Sequence, residues 1–484
     1  MKSAAAALRE SAPTATPAAG AGAVPGGVPI STARGGTGSE FTAAQRLDRL
    51  PETRFHRRMA AMIGLGLFFD GFDLYMASGV MVALASIGWS DMQSNAYFAS
   101  AGAVGTLIGA FMSGWLGDRF GRKFTFQFNL ALFGITSLAA AFVPSMNWLI
   151  ALRFLMGIGL GAEIVVGYAT ISEFVPPRSR GRWGAVLFFL ATASLLASNA
   201  IAYLVIPTLG WRWMFAIAGL GGLCVWIMRK KMPESPRWLE SVGRLVEASR
   251  IVDEIEAEVI RETGRPLPIP ARAAVLAPTS FRASDLFRPP ILRSTILGIV
   301  LNIVALSALY GFIIWLPTFL MKQGLSVGAS LGHTTLISAG SLVGVLLAGF
   351  IADRWSRRKW IASAAVVAAV FGWWYANAGS LNATTAVGVC LIAAMYFGST
   401  VGFSTYVPEL FPTELRLRGT GISSVAGRAA SIVAPQAVAA LFAFGGVNAV
   451  TYTIVALLLA QAVIVGFLGL ETTGRSLDTP FAGH

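Results

Sequence analysis

Apolar residues fall in long runs along this chain, and polar residues gather in short stretches between them. Twelve runs of about 20 residues can be marked, each long enough to cross a bilayer as a helix. They cover 59–84, 94–116, 124–143, 147–171, 183–206 and 212–229, then 294–320, 333–352, 360–378, 385–407, 421–444 and 448–470. Between the two sets lies a polar stretch, 231–292, with one amphipathic helical pattern from Val246 to Ile260 that breaks at Pro266, Pro268 and Pro270. The pattern predicts an all-α integral membrane protein, with twelve transmembrane helices in two six-helix bundles at 56–230 and 293–472. The stretch at 231–292 reads as a linker, and 1–55 and 473–484 as tails. The first tail is rich in Ala, Gly, Pro and Thr, is expected to be disordered, and lacks the apolar core of a secretory signal.

The chain repeats itself. Gly114-Trp-Leu-Gly-Asp-Arg-Phe-Gly-Arg-Lys123 joins the second run to the third, and about 235 residues later Gly349-Phe-Ile-Ala-Asp-Arg-Trp-Ser-Arg-Arg-Lys359 joins the eighth to the ninth. A second pair of landmarks has the same shift: Glu173-Phe-Val-Pro-Pro-Arg-Ser-Arg-Gly181 and Glu409-Leu-Phe-Pro-Thr-Glu-Leu-Arg-Leu-Arg-Gly419. Duplicated membrane halves of this kind mark secondary transporters, which rock about a central site. The loops themselves, through Asp118, Arg119, Arg122 and Glu173 and their counterparts Asp353, Arg354 and Glu409, read as a clasp that gates one mouth.

Composition sharpens the reading. Hydrophobic residues make up 55% of the 484 and charged ones 13%, about half what a soluble chain carries. The net charge of +13 invites a nucleic-acid partner, but its distribution argues against one. With the N-terminus inside, the inner loops collect Arg119, Arg122 and Lys123, Arg178 to Arg182, Arg229 to Lys231, Arg354 to Lys359, and Arg416 and Arg418, while the outer loops hold little beyond Arg212 and Lys322. That asymmetry predicts cytoplasmic termini. Cys224 and Cys390 lie in separate apolar runs, and the three histidines are scattered, so no disulfide, metal or cofactor is expected.

Ionisable groups inside apolar runs each cost roughly 2.5–3.5 kcal/mol to insert and need a partner or a wet cavity. The first run carries Phe68-Phe-Asp-Gly-Phe-Asp-Leu-Tyr75, which sets Asp70 and Asp73 about 60° apart around one helix. Two such carboxylates suit a site that loads and releases a proton; one capping a break at Gly71 or making a fixed ion pair is the structural alternative. Arg153, about 9 Å from the outer surface by helical rise, comes to a depth similar to Asp73. It can pair with that aspartate or meet an anionic solute. Gly157, Gly159 and Gly161 let the helices approach. Glu163 is a further mid-span carboxylate, and Glu173 is placed for the loop arginines. In the second half, Arg428 lies in Gly427-Arg-Ala-Ala-Ser-Ile-Val-Ala-Pro-Gln436. It can hold an anion, pair with Glu409 or reach the inner interface. Asn302, Tyr310, Trp315, Tyr406 and Gln436 are candidate pocket walls.

Across nearly its whole length the chain resembles the major facilitator superfamily. Gly114 to Lys123 is similar to that family's loop between helices two and three, and Arg153-x-x-x-Gly157-x-Gly159 to its fourth-helix motif. Pro233-Glu-Ser-Pro-Arg-Trp-Leu239, Pro408-Glu-Leu-Phe-Pro-Thr413 and Glu471-Thr-Thr-Gly-Arg-Ser476 resemble signatures of the sugar porters and their organic-ion relatives. Asp70-Gly-Phe-Asp73 resembles the first-helix motif of the aromatic acid:proton symporters. The second loop repeat departs from the pattern by lacking its inner glycine. The resemblance implies transport roles for Asp70, Asp73, Arg153 and Glu173.

The expected function is proton-coupled import of a small organic acid, an aromatic or related monocarboxylate, by a monomer in the inner membrane. Its partners are then the organic anion, protons and the lipid bilayer. A sugar or polyol porter is one alternative. Antiport efflux of drugs or metabolites is another, weakened because the fifth run, Ala185 to Ile206, has neither glycine nor internal proline. An enzyme is not expected, since no catalytic cluster appears.

Overall fold

A computed structural model describes residues 41–270, 283–289, 291–351, 354–411 and 415–472. It is helical, with no strand among the described residues. The first half comprises α1 (Ala43–Asp48), α2 (Arg54–Ser86), α3 (Met92–Phe120), α4 (Arg122–Ala140), α5 (Met146–Phe174), α6 (Arg180–Leu209) and α7 (Arg212–Arg229). The linker adds α8 (Pro236–Ser241) and α9 (Leu245–Thr263). The second half contains α10 (Leu292–Ala308), α11 (Leu316–Lys322), α12 (Val327–Ile351), α13 (Arg357–Ala376), α14 (Leu381–Val401), α15 (Val407–Glu409) and α16 (Arg416–Leu468).

Nine of the described helices are long and apolar enough to span a bilayer. One of them, α16, bends at Gly445 and Gly446 into two limbs, the second glycine at φ +65°; with the shorter α4 and α7 the spans number twelve. Polar caps set where the helices begin. The Asp91 side chain accepts from Ser94 N at 2.7 Å, and Ser356 and Ser380 cap α13 and α14 in the same way. Gly121, at φ +94°, makes the abrupt turn between α3 and α4. Two π-turns, Leu309–Ile313 and Gly402–Tyr406, interrupt the seventh and tenth spans.

Two expectations need correction. The segment 41–55 is not a featureless tail: α1 starts with a capping box at Thr42, and its Arg46 is held by Asp253 and Glu256 of α9. The fifth span also runs further than its apolar run suggests, with Pro207 inside the last turn of α6. Residues 1–40 and 473–484 lie outside the described residues.

Three apolar cores organise the molecule. One includes residues of both halves, among them Met76, Val80, Phe98, Phe312, Trp315 and Leu331, and sits at the end away from the basic loops. The other two lie at the basic-loop end, and each is built without residues of the opposite bundle. Hydrogen bonds fasten the shared end. Ser100 Oγ donates to the Ile432 carbonyl, Gln93 Nε2 to Gln436 Oε1 and Asn199 Nδ2 to Ser338 Oγ, each at 2.8 Å. Among the described residues the bundles therefore share a core and hydrogen bonds at one end and keep separate cores toward the basic loops.

Candidate functional site

Gly66, Asp70 and Asp73 follow each other at helical spacing and share one face of α2. Each level of that face meets a different environment. At the top, fully buried Asp73 accepts from Arg153 Nη1, and Arg153 Nη2 reaches the Asp73 carbonyl at 3.3 Å. The guanidinium also lies over the Phe98 ring, 5.1 Å from its centroid. One carboxylate oxygen, Asp73 Oδ1, and Arg153 Nε are buried without hydrogen-bond partners among the described residues.

Glycines seat α5, the helix that carries Arg153, closely against α3 and α4. A Cβ on Gly102 would lie 2.9 Å from Arg153 Nε, one on Gly157 2.4 Å from the Gly102 carbonyl, and one on Gly161 2.0 Å from the Thr106 carbonyl. The glycines of the fourth-span motif thus divide their work. Gly157 and Gly161 seat α5 on α3, while Gly159 faces the Asn129 carbonyl of α4.

One turn of α2 below Asp73, Asp70 faces a cavity of about 340 Å³ between the halves. Arg428 faces the same cavity from α16, with Asn302 and Tyr310 on its wall. Neither Asp70 nor Arg428 makes a side-chain hydrogen bond or ion pair among the described residues. Gly427 permits this placement, since a Cβ there would sit 2.9 Å from Asn302 Cβ. Asn302 Nδ2 donates one of its two hydrogens to the Gly298 carbonyl at 2.9 Å.

At the lowest level, Gly66 makes room for a second buried pair. Arg229 Nη2 donates to Glu163, and the same guanidinium donates to the Met62 and Ile63 carbonyls at 2.8 and 2.9 Å and covers the Phe126 ring. A Cβ on Gly66 would lie 2.0 Å from Arg229 Nη2. Glu163 is therefore absent from the cavity wall. Arg229, expected among the loop cations, is fully buried instead. It opens the run Arg229-Lys-Lys231, which disguised it; the signal that pointed to it was the unpaired mid-span Glu163.

Other candidates separate. Gln436 bonds Gln93 and Ser100 at the shared end and does not line the cavity. Trp315 and Tyr406 are core residues. At the basic end Arg122 donates to Glu173 at 3.0 Å and to the Gly117 carbonyl at 2.8 Å, while Asp118 is largely exposed and 3.4 Å from Arg122. Arg119 lies over the Trp115 and Phe120 rings. In the second half Arg357 lies 2.7 Å from Glu409, which accepts from Thr472 at 2.6 Å, so Glu409 is not a partner of Arg428. Arg354 is exposed, and Asp353 lies outside the described residues. The Pro233-Glu-Ser motif also acquires a role. Glu234 accepts from the Arg122 and Lys123 amides, capping α4 with a carboxylate that burial pushes above its ordinary pKa.

A family profile described as Major Facilitator Superfamily matches residues 63–435 and again 333–483. The chain belongs to the Major Facilitator Superfamily. Relatives within it include the inner membrane metabolite transport protein YdjE of Escherichia coli (strain K12), 37% identical, with 90% of this chain and 97% of the relative covered. The niacin transporter NiaP of Acinetobacter baylyi is 32% identical over 90% of this chain and 98% of its own length. The 4-hydroxybenzoate transporter PcaK of Pseudomonas putida is 28% identical over 86% and 93%. Among solved structures, a D-xylose-proton symporter matches 88% of this chain and all of its own at a TM-score of 0.68 and 20% identity, a likeness of fold. As a facilitator of this superfamily the protein is a membrane transporter of twelve helices and not an enzyme. Its duplicated loops are the superfamily's two halves, each closing the same kind of ion pair at its basic end.

Proposed function

We propose that this transporter is a proton-coupled symporter of a small aromatic or related monocarboxylate. One observation carries the reading: Asp70 and Arg428 face a single cavity from opposite halves, and neither is held by a side-chain hydrogen bond or ion pair among the described residues. A guanidinium without an ion-pair partner in a cavity suits a carboxylate, which it grips with two parallel hydrogen bonds. Asp70 repels that anion, and a proton taken up on Asp73 offsets the repulsion by freeing the Arg153 charge at the cavity wall, so anion and proton enter together. Asp73, paired with Arg153 beside the cavity, is the coupling carboxylate of this scheme. Protonating it loosens its hold on the arginine and frees a charge where charges are costly.

The Arg122–Glu173 and Arg357–Glu409 pairs, with Asp118 and Arg119 beside them, act as gates at the basic end. The loop charges support an inner-membrane orientation with both termini cytoplasmic, so that the basic end faces inward. The names of two relatives, a niacin and a 4-hydroxybenzoate transporter, favour a ring-bearing acid. A neutral sugar or polyol would leave Arg428 without a counter-anion.

The experiment is uptake into proteoliposomes under an acid-outside gradient, with labelled nicotinate, 4-hydroxybenzoate and xylose offered in parallel. Accumulation of an acid that collapses with a protonophore, and is severely weakened by Arg428→Lys, is expected. Accumulation of xylose alone, or acid-stimulated export, contradicts the reading.

A further inference from the structure

A second chamber of about 200 Å³ adjoins the central cavity, and Tyr75, Phe188, Ala191, Leu306, Leu309 and Phe403 border both. It runs into the interior of the second bundle, between α10, α13, α14 and the second limb of α16. Its α13 wall is formed by Ala364, Ala365 and Ala368, which keep the space open. Apolar cavities of about 150 Å³ already accept a benzene ring, so this one has room for the ring of a small aromatic solute.

One wall residue does not fit an apolar space. Gln461 is 8% exposed, lines the chamber, and makes no hydrogen bond among the described residues. A buried amide left without partners is costly, and native proteins keep few of them. The mouth of the chamber carries a further unused hydrogen. The Tyr75 and Tyr396 hydroxyls lie 2.8 Å apart, and only one of their two hydrogens is spent between them.

We propose that the substrate's ring occupies this chamber and that Gln461 reads a hydrogen-bonding group on the ring's far edge. The inference rests on the monocarboxylate reading above, with the carboxylate on Arg428. An amide offers both a donor and an acceptor. The chamber therefore selects rings bearing a heteroatom or a hydroxyl meta or para to the carboxylate over rings that present only carbon there. Gln461 is thus a specificity residue, distinct from the groups that handle charge.

Counterflow in proteoliposomes tests this, with benzoate, nicotinate and 4-hydroxybenzoate competing against one labelled acid. Gln461→Leu keeps the volume and removes the amide. It is expected to weaken nicotinate and 4-hydroxybenzoate about tenfold while leaving benzoate unchanged. Equal loss of all three, or no change in preference, overturns the proposal. Ala368→Leu narrows the chamber from α13 and is expected to weaken all three acids; unchanged affinities there overturn it as well. If the wild-type protein takes none of the acids, the monocarboxylate reading itself has failed. Wild-type uptake with an unaltered Gln461→Leu preference sinks only the chamber.

Discussion

Arg357 lies 2.7 Å from Glu409, repeating in the second half the contact that Arg122 makes with Glu173 at 3.0 Å in the first. About 235 residues separate the members of each set, so the duplication visible in the sequence is carried down to individual charges. The repeat identified the right loops but drew attention to Arg354, where the arginine three positions on makes the contact.

Glu173 is half-buried against Arg122, whereas the Asp118 side chain is 84% exposed. Exposed pairs contribute little, so the gating weight should fall on Glu173. With Cys224 and Cys390 replaced, a single cysteine in the cavity reports access from either face. Glu173→Gln is expected to change its labelling rate about threefold or more, and Asp118→Asn to leave it nearly unchanged. Equal effects would remove the distinction.

The Glu163–Arg229 pair yields a stability prediction. Glu163→Gln leaves a buried guanidinium without its counter-charge and should cost about 3–5 kcal/mol. Replacing both members with apolar residues, Glu163→Leu with Arg229→Met, should restore most of it. Thermal unfolding of the purified protein reads both. Transport retained by the double variant marks the pair as structural, and transport lost despite recovered stability marks it as functional.

Gly157 and Gly114 make a contrast within one helix pair. A Cβ on Gly157 collides with the α3 backbone, and one on Gly114 meets nothing within 4 Å. Gly157→Ala should therefore destabilise by about 1–3 kcal/mol and separate Arg153 from Asp73, while Gly114→Ala should be close to neutral. Similar melting temperatures for the two would contradict the packing account.

The docking of α1 on α9 has a definite pH dependence. Burial by itself raises the Glu256 carboxyl, but hydrogen bonds from Arg46 and Arg49 outweigh it and leave the group below its ordinary pKa. The stabilisation is present above the ordinary carboxylate value and is lost as pH falls through the lowered one. Hydrogen exchange over Ala43–Asp48 should stay protected at neutral and mildly acidic pH and open only below the ordinary carboxylate range. Opening already near neutrality would contradict this.

Much of the fold was legible because a bilayer demands long apolar helices and charged loops on one side. The twelve spans, the duplicated halves and the meeting of Asp73 with Arg153 could be read from run lengths, repeated motifs and helical depth. Less visible were contacts that depend on how helices turn about their axes. Run lengths do not reveal which face of the second limb of α16 carries Gln461, or that Arg229 turns inward while its neighbours Lys230 and Lys231 do not. Gln436 shows the reverse error: a polar residue within an apolar run, it serves the seam between the halves and not the cavity.

The most direct test of the account is Asp73→Asn measured in two modes on the same proteoliposomes. Asparagine fills the same space but neither carries charge nor takes up a proton. The account predicts that counterflow exchange of the acid persists, while accumulation driven by an acid-outside gradient disappears. An Asp73→Asn protein that still concentrates substrate under that gradient as the wild type does would show that the proton is carried elsewhere.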